Sequence, residues 1–151
     1  MMIEIRDMAA IDIPALVGLE KEIFPESPWS AFQFREELAG APRTRKYLVA
    51  SEAGRVIGYG GIALAGEVAD IHTIAVIPEY RKRGLATEIL SQLEAWGIAK
   101  GAAALMLEIR EGNQAALSLY EKRGYSVISR RNNYYGTGIH ALIMRKEVVH
   151  G

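Results

Sequence analysis

The residues from Ile74 to Thr87 could do the most specific chemistry in this chain. They run from an apolar strand (Ile74-Ala75-Val76) through Pro78 into a basic, glycine-bearing loop and then a helix. Free backbone N–H groups at a helix N-terminus, flanked by Arg and Lys charge, form a site for a pyrophosphate. The residues placed for this are Arg81, Lys82, Arg83, Gly84, Leu85, Ala86 and Thr87, with Gly84 allowing close backbone approach. Taken alone, the charges also fit an ordinary solvated turn. The apolar lead-in and the amphipathic helix that follows favour the phosphate reading. The stretch has neither the Gly-Lys-Ser/Thr ending of a nucleoside-triphosphate loop nor a G-x-G-x-x-G pattern.

Other groups capable of chemistry stand further along. Glu108 is a lone acid in the apolar run Leu105-Met106-Leu107-Glu108-Ile109, and Asp70 and His72 share a face of another strand. Asn113 and Tyr120 fall on one helix face, two turns apart. Each has a plain alternative: a solvent-facing edge acid, a satisfied strand histidine, a helix cap, a core aromatic. The chain has no cysteine, which excludes disulfides, Cys-ligated zinc and an acyl-cysteine intermediate. Its three histidines show no metal-site spacing, so no metal is expected. With 18 basic and 18 acidic residues, bulk electrostatics give no support for nucleic-acid binding. No apolar run approaches a membrane span, and the opening MMIEIRDM is not built like a signal peptide. A soluble cytoplasmic protein is expected, with residues 1–151 as one domain.

The elements that must position these groups follow from periodicity. Ile3 and Ile5 alternate with charges as a strand. A helix is expected over Ile11 to Phe24, with Asp12 as cap and Leu16, Leu19, Glu20 and Ile23 at helical spacing. Pro25 to Pro28 breaks it, and Ser30 with Gln33 opens a second helix through a capping box, ending at Gly40. Strands are expected over Tyr47 to Ser51, Val56 to Leu64 and Val68 to Val76, the first two joined by a hairpin turn at 52–55. Gly58, Gly60 and Gly61 suggest a bulge or close packing. Leu85 to Lys100 is the longest helix, Leu105 to Ile109 a buried strand, and Ala115 to Arg123 a short helix ended by Gly124. Tyr125 to Ser129 and Ala141 to Arg145 complete the strands, and the tail from Lys146 to Gly151 reads as frayed. The order β-αα-βββ-α-β-α-ββ implies an α/β fold with at least one parallel pair in a mostly antiparallel sheet.

The loop R-x-x-G-x-A of Arg81 to Ala86 resembles the acetyl-CoA loop of the GNAT superfamily of N-acetyltransferases, and the element order is similar to the GNAT fold along essentially the whole chain. Leu107-Glu108-Ile109-Arg110, Asn113 and Leu119-Tyr120-Glu121 through Gly124-Tyr125 resemble one branch, the ribosomal-protein-alanine N-acetyltransferases (RimI type). The resemblance implies that the backbone of Ile74, Ala75 and Val76 pairs with the pantetheine arm of acetyl-CoA, that residues 81–87 hold its pyrophosphate, and that Asn113 touches the CoA arm. It implies Glu108 as general base and Tyr120 as general acid, with Asp70 as the rival base by analogy with histone-acetylating relatives. Trp29 in Phe24-Pro25-Glu26-Ser27-Pro28-Trp29, and Tyr134 with Tyr135, would wall the acceptor groove.

The implied reaction is direct acetyl transfer, in a ternary complex, to a protein N-terminal α-amine. The implied target is the N-terminal alanine of a small-subunit ribosomal protein. A polyamine, aminoglycoside, aminoacyl group or lysine as acceptor, and a non-catalytic acyl-CoA sensor, are the alternatives. The segment Gly136 to His140 departs from the branch, which carries acidic residues there. That departure weakens the expected selection for a basic second residue in the acceptor.

Overall fold

The computed structural model describes residues 2–149, which form seven strands and four α-helices. In chain order these are β1 (Ile3–Asp7), α1 (Ile13–Ile23), α2 (Ala31–Ala39), β2 (Arg45–Glu52), β3 (Arg55–Ala65), β4 (Val68–Val76), α3 (Leu85–Ala99), β5 (Ala104–Arg110), α4 (Gln114–Lys122), β6 (Ser126–Gly136) and β7 (Ile139–Glu147). All strands join one sheet in the order β1-β2-β3-β4-β5-β7-β6. Only β4 and β5 run parallel.

The sheet buries apolar side chains on both faces, as the alternation of β2 requires. Leu48 and Ala50 join Ile62, Ile89, Leu90, Leu93, Leu105 and Tyr120 on the α3 and α4 side. Tyr47 and Val49 join Leu16, Phe34, Tyr59 and Ala75 on the α1 and α2 side. Full burial of one such side chain contributes about 1.5–3 kcal/mol, so α3 is held mainly by Ile89, Leu90 and Leu93, each with no exposed surface.

The strand carrying Gly60 and Gly61 is irregular where those glycines sit. The β3–β4 register shifts between Gly61 and Ile62, leaving His72 as the extra residue opposite them. The bulge changes which β4 residues face the α3 core: Ala69 and Ile71 before it, Ile74 and Val76 after it.

Three sequence expectations need correction. Asp12 does not cap α1. Its carboxylate accepts two hydrogen bonds of 2.8 Å from the Arg6 guanidinium and one from the Ala9 N–H, and a short 3-10 turn precedes the helix. The sixth strand is longer than Tyr125 to Ser129: Tyr125 is buried ahead of it, and β6 continues to Gly136. The tail is not frayed from Lys146, because Lys146 and Glu147 belong to β7 and the Val148 N–H donates to the Ala103 carbonyl. His150 and Gly151, also read as tail, lie outside the described residues. The capping box at Ser30 and Gln33 and the bounds of β4 match expectation.

A Cβ built on Gly61 would lie 2.1 Å from the ring of the buried Tyr47, whereas one on Gly18, exposed in α1, meets nothing within 4 Å. Urea unfolding should show Gly61→Ala losing about 1–3 kcal/mol by overpacking and Gly18→Ala gaining about 0.5–1 kcal/mol from helix propensity. Equal effects at the two positions would contradict the packing described.

Candidate active site

The site begins where β4 and β5 stop pairing. Their parallel register runs from Val68 opposite Ala104 to Ile71 opposite Leu107 and ends there. Beyond it β4 keeps its bonds to β3 as far as Val76, and β5 keeps its bonds to β7 as far as Arg110. The facing edges of residues 72–76 and 108–110 are left without a strand partner. A cleft of 290 Å³ opens in the gap. It is lined on the β4 side by His72, Thr73 and Ile74 and on the β5 side by Glu108, Ile109 and Arg110.

The gap brings together residues from opposite faces of the sheet. Leu105, Leu107 and Ile109 face the α3 and α4 core, so Met106, Glu108 and Arg110 point the other way. Tyr120 belongs to the α3 and α4 side, yet it lines the same cleft as Glu108. Its ring stands edge-on to Tyr125 at 5.7 Å. Burial, and then the charge of Glu94, pushes its hydroxyl up to about 12. That hydroxyl has no hydrogen-bond partner among the described residues. Asn113 also lines the cleft, and its Oδ1 accepts from the Ala116 N–H at 3.1 Å, so it caps α4 and faces the gap.

Glu108 is one-third exposed and lies 3.3 Å from Arg131 on β6. Arg131 stacks over Tyr134 at 4.3 Å. The Tyr134 hydroxyl is raised first by hydrogen bonding to Glu108. Tyr135, in the main cleft, is pushed up to about 12, first by burial and then by Glu108. Asp70, Glu108, His72, Trp29 and Tyr134 line an adjoining groove on the α1 and α2 side. Asp70 is half-buried with no hydrogen-bond donor among the described residues. Burial raises its pKa, Glu108 adds to the rise, and His72 opposes it.

The β4–α3 loop supplies a second set of backbone groups. Lys82 has φ +63° and Gly84 φ +79°, with Arg83 between them outside the left-handed region. Two left-handed residues so close together turn the backbone sharply just ahead of the helix. The first bond of α3 closes from the Glu88 N–H to the Gly84 carbonyl. The N–H groups of residues 85–87, in the first turn of the helix, are therefore left without helical acceptors. These groups suit a diphosphate, and the unpaired edge of Ile74, Ala75 and Val76 suits an extended arm bearing amide groups. The Arg81 Nε donates to the Val76 carbonyl at 2.9 Å, tying the loop to the strand end. Arg83 lies over the Tyr80 ring at 4.9 Å, and the Tyr80 hydroxyl donates to Glu52 at 2.5 Å.

Three features of the cleft were not singled out from the sequence. Glu20, read only as one of the helix-spaced positions, is 2% exposed. It accepts from the Trp29 N–H at 2.8 Å and the Tyr59 hydroxyl at 2.6 Å, which places Trp29 in the cleft wall. Burial outweighs both hydrogen bonds and raises its pKa. The signal available was an acid on the apolar face of α1, which demands buried partners. Glu26 forms an ion pair with Arg110 across the cleft mouth. Glu37 and Tyr47 hold His72, a contact that no local pattern announces.

The acetyltransferase family described as GNAT matches residues 12–125. The N-alpha-acetyltransferase RimI of Mycobacterium tuberculosis is 34% identical, over 90% of this chain and 87% of its own length. An uncharacterized Mycobacterium leprae protein is 34% identical over 96% of this chain, which spans only 41% of that longer relative. The crystal structure of the ribosomal-protein-S18-alanine N-acetyltransferase from Escherichia coli superposes with a TM-score of 0.85 at 27% identity, covering 99% of this chain and 96% of that one. A sheet parted between its two parallel strands, a basic glycine-bearing loop at the head of α3 and these likenesses agree: the chain belongs to the GNAT family of acetyltransferases.

Proposed function

We propose that the protein moves the acetyl group of acetyl-CoA to the N-terminal α-amine of a protein, with the N-terminal alanine of a ribosomal protein as target. The observation that carries the reading is the meeting of Glu108 and Tyr120 in one cleft from opposite faces of the sheet. The names of the tuberculosis and E. coli relatives support the choice of acceptor. Residues 82–87 hold the diphosphate by backbone N–H groups, Ile74 to Val76 pair with the pantetheine arm, and Asn113 adjoins it. Trp29, Tyr134 and Tyr135 wall the acceptor groove. The reading places the protein in the cytoplasm, where ribosomal proteins are made.

The chemistry follows from these placements. An α-amine with a pKa near 8 is mostly protonated at neutral pH and must lose a proton before it attacks. Glu108 accepts a proton as the nitrogen–carbon bond forms, and the carbon–sulfur bond breaks with Tyr120 giving its proton to the departing thiolate. The high pKa of Tyr120 keeps it protonated until that step. A small cationic amine is the second reading, favoured by the unpaired Asp70 carboxylate in the acceptor groove.

CoA release with an Ala-first peptide tests the proposal against an N-blocked peptide and spermidine. Glu108→Gln and Tyr120→Phe should each lower kcat by about 10²–10⁴-fold while acetyl-CoA still binds. Equal turnover of blocked and free peptides would rule out the α-amine, and spermidine as the sole substrate would establish the second reading.

The pH profile provides a separate check. Because the Tyr120 pKa is raised, its proton is retained as pH climbs and is lost only near about 12. The wild-type rate should show no alkaline decline up to about pH 10. An alkaline decline below that point, absent from Tyr120→Phe, would show that Tyr120 loses its proton far below 12 and would contradict the burial described for it.

Gly84→Val forces a branched side chain to φ +79° in the β4–α3 loop. The expected result is a KM for acetyl-CoA raised at least about tenfold, the equivalent of about 1.4 kcal/mol, with KM for the peptide little changed. An unaltered acetyl-CoA KM would remove the loop from the binding site.

A further inference from the structure

His72 is the residue that the β4 bulge sets apart. Its side chain, 27% exposed, lines both the main cleft and the adjoining groove beside Glu108. Its ring lies 5.9 Å from that of Trp29. Nδ1 is 2.7 Å from the hydroxyl of the buried Tyr47 and 3.2 Å from Glu37 Oε1. The Tyr47 hydroxyl is in turn 3.1 Å from Glu37 Oε1, and Arg45 Nε lies 2.7 Å from that oxygen.

These contacts assign the ring proton. Tyr47 has one proton to give. Given to Glu37, it leaves the phenol oxygen free to accept from Nδ1–H. An unprotonated Nδ1 would instead set its lone pair 3.2 Å from a carboxylate. The proton therefore belongs on Nδ1, an assignment made from the partners. Nδ1 points inward to Tyr47, so Nε2, on the opposite edge of the ring, presents its lone pair to the groove. A carboxylate that holds one ring nitrogen fixes the tautomer and leaves the other nitrogen to take a proton.

Converting an ammonium into an amide removes two protons from nitrogen. Glu108 can hold one, and it already lies against Arg131. We propose that His72, oriented by Glu37 and Tyr47, is a second proton acceptor: its Nε2 takes the first proton from the incoming ammonium, and Glu108 takes the second during attack. The inference rests on the amine-acetylating reading above. Proton balance is kept. One proton passes to His72 and leaves to solvent, one passes to Glu108, and Tyr120 supplies the thiol proton and is restored from Glu108. The net reaction releases one proton per amide formed. The groups facing the imidazole are Glu37 on α2, Arg45 and Tyr47 on β2, and Asp70 on its own strand. Burial lowers the His72 pKa, Glu37 and Asp70 oppose this, and Arg45 adds to it; the net shift is downward. The ring is accordingly neutral when the ammonium arrives.

The test is kcat/KM against pH, from 6 to 10, for wild type, His72→Gln, Glu37→Gln and Glu108→Gln on the Ala-first peptide. Acetyl-CoA affinity and melting temperature are measured alongside. His72→Gln should lose about 10–100-fold at pH 7 and approach wild type near pH 10, where the amine arrives neutral. Glu37→Gln should show a smaller loss of the same shape, and Glu108→Gln a loss at every pH. A His72→Gln loss that is absent or independent of pH, in a protein that melts and binds acetyl-CoA normally, overturns the proposal.

Ring-nitrogen NMR of the wild type near pH 7.5 should show Nδ1 protonated and Nε2 bare. The opposite tautomer overturns the proposal even if His72→Gln does not fold. Absence of wild-type turnover on any peptide would overturn the acceptor reading, while the ring spectrum still decides the state of His72.

Discussion

Everything in this molecule depends on backbone hydrogen bonds that β4 and β5 do not make. Paired strands satisfy one another's N–H and C=O groups, and an unpaired buried group is costly. Parting the strands after Ile71 and Leu107 therefore obliges those edges to meet water or a ligand. The parting also breaks the barrier between the two faces of the sheet. Without it, Glu108 and Tyr120 would belong to separate cores and share no volume. The bulge at His72 adjusts the same region by turning Ile74 and Val76 toward the α3 core.

A gap in a sheet has to be held open by rigid surroundings, and buried carboxylates do much of this. Glu94 on α3 accepts from Arg123 at 2.6 Å and from the Tyr125 hydroxyl at 2.8 Å, with Lys146 of β7 at 3.7 Å. It thereby fixes the end of α4, which carries Tyr120, against α3 and β7. Glu20 performs the matching task across the sheet, joining α1 to Tyr59 of β3 and to the chain at Trp29. Removing one partner from such a group leaves a buried charge uncompensated, which costs several kcal/mol. One of these carboxylates, Glu20, braces the cleft from its own lining, and the other, Glu94, from behind Tyr120.

What could be read from the sequence was whatever local chemistry determines. Ser30 and Gln33 form a capping box because the spacing alone permits it. Ala53 and Gly54 take positive φ because a two-residue hairpin turn requires it. The turn from β4 through Gly84 into α3 was legible from Pro78 and Gly84, but the hydrogen bond from Arg81 to Val76 depends on three-dimensional placement. β6 was read too short because an edge strand exposed on both faces has no apolar alternation beyond Ser129. The partners of Glu20 and His72 were hidden for another reason: Tyr59 lies 39 residues from Glu20, and Tyr47 lies 25 from His72. Only the folded sheet brings them into contact.

The exposed sixth strand has a consequence for colloidal behaviour. β6 ends the sheet, and its outer edge offers free backbone groups to any passing strand. Val127 and Ile128 are 44% and 52% exposed on it. Arg130 and Arg131, together with the irregular pairing between Arg131 and Gly136, interrupt what would otherwise be a long adhesive ribbon. Arg131 is also the partner of Glu108. Shaping the groove and keeping copies of the chain apart thus fall to one short segment, and a more apolar groove wall would come with a greater tendency to aggregate.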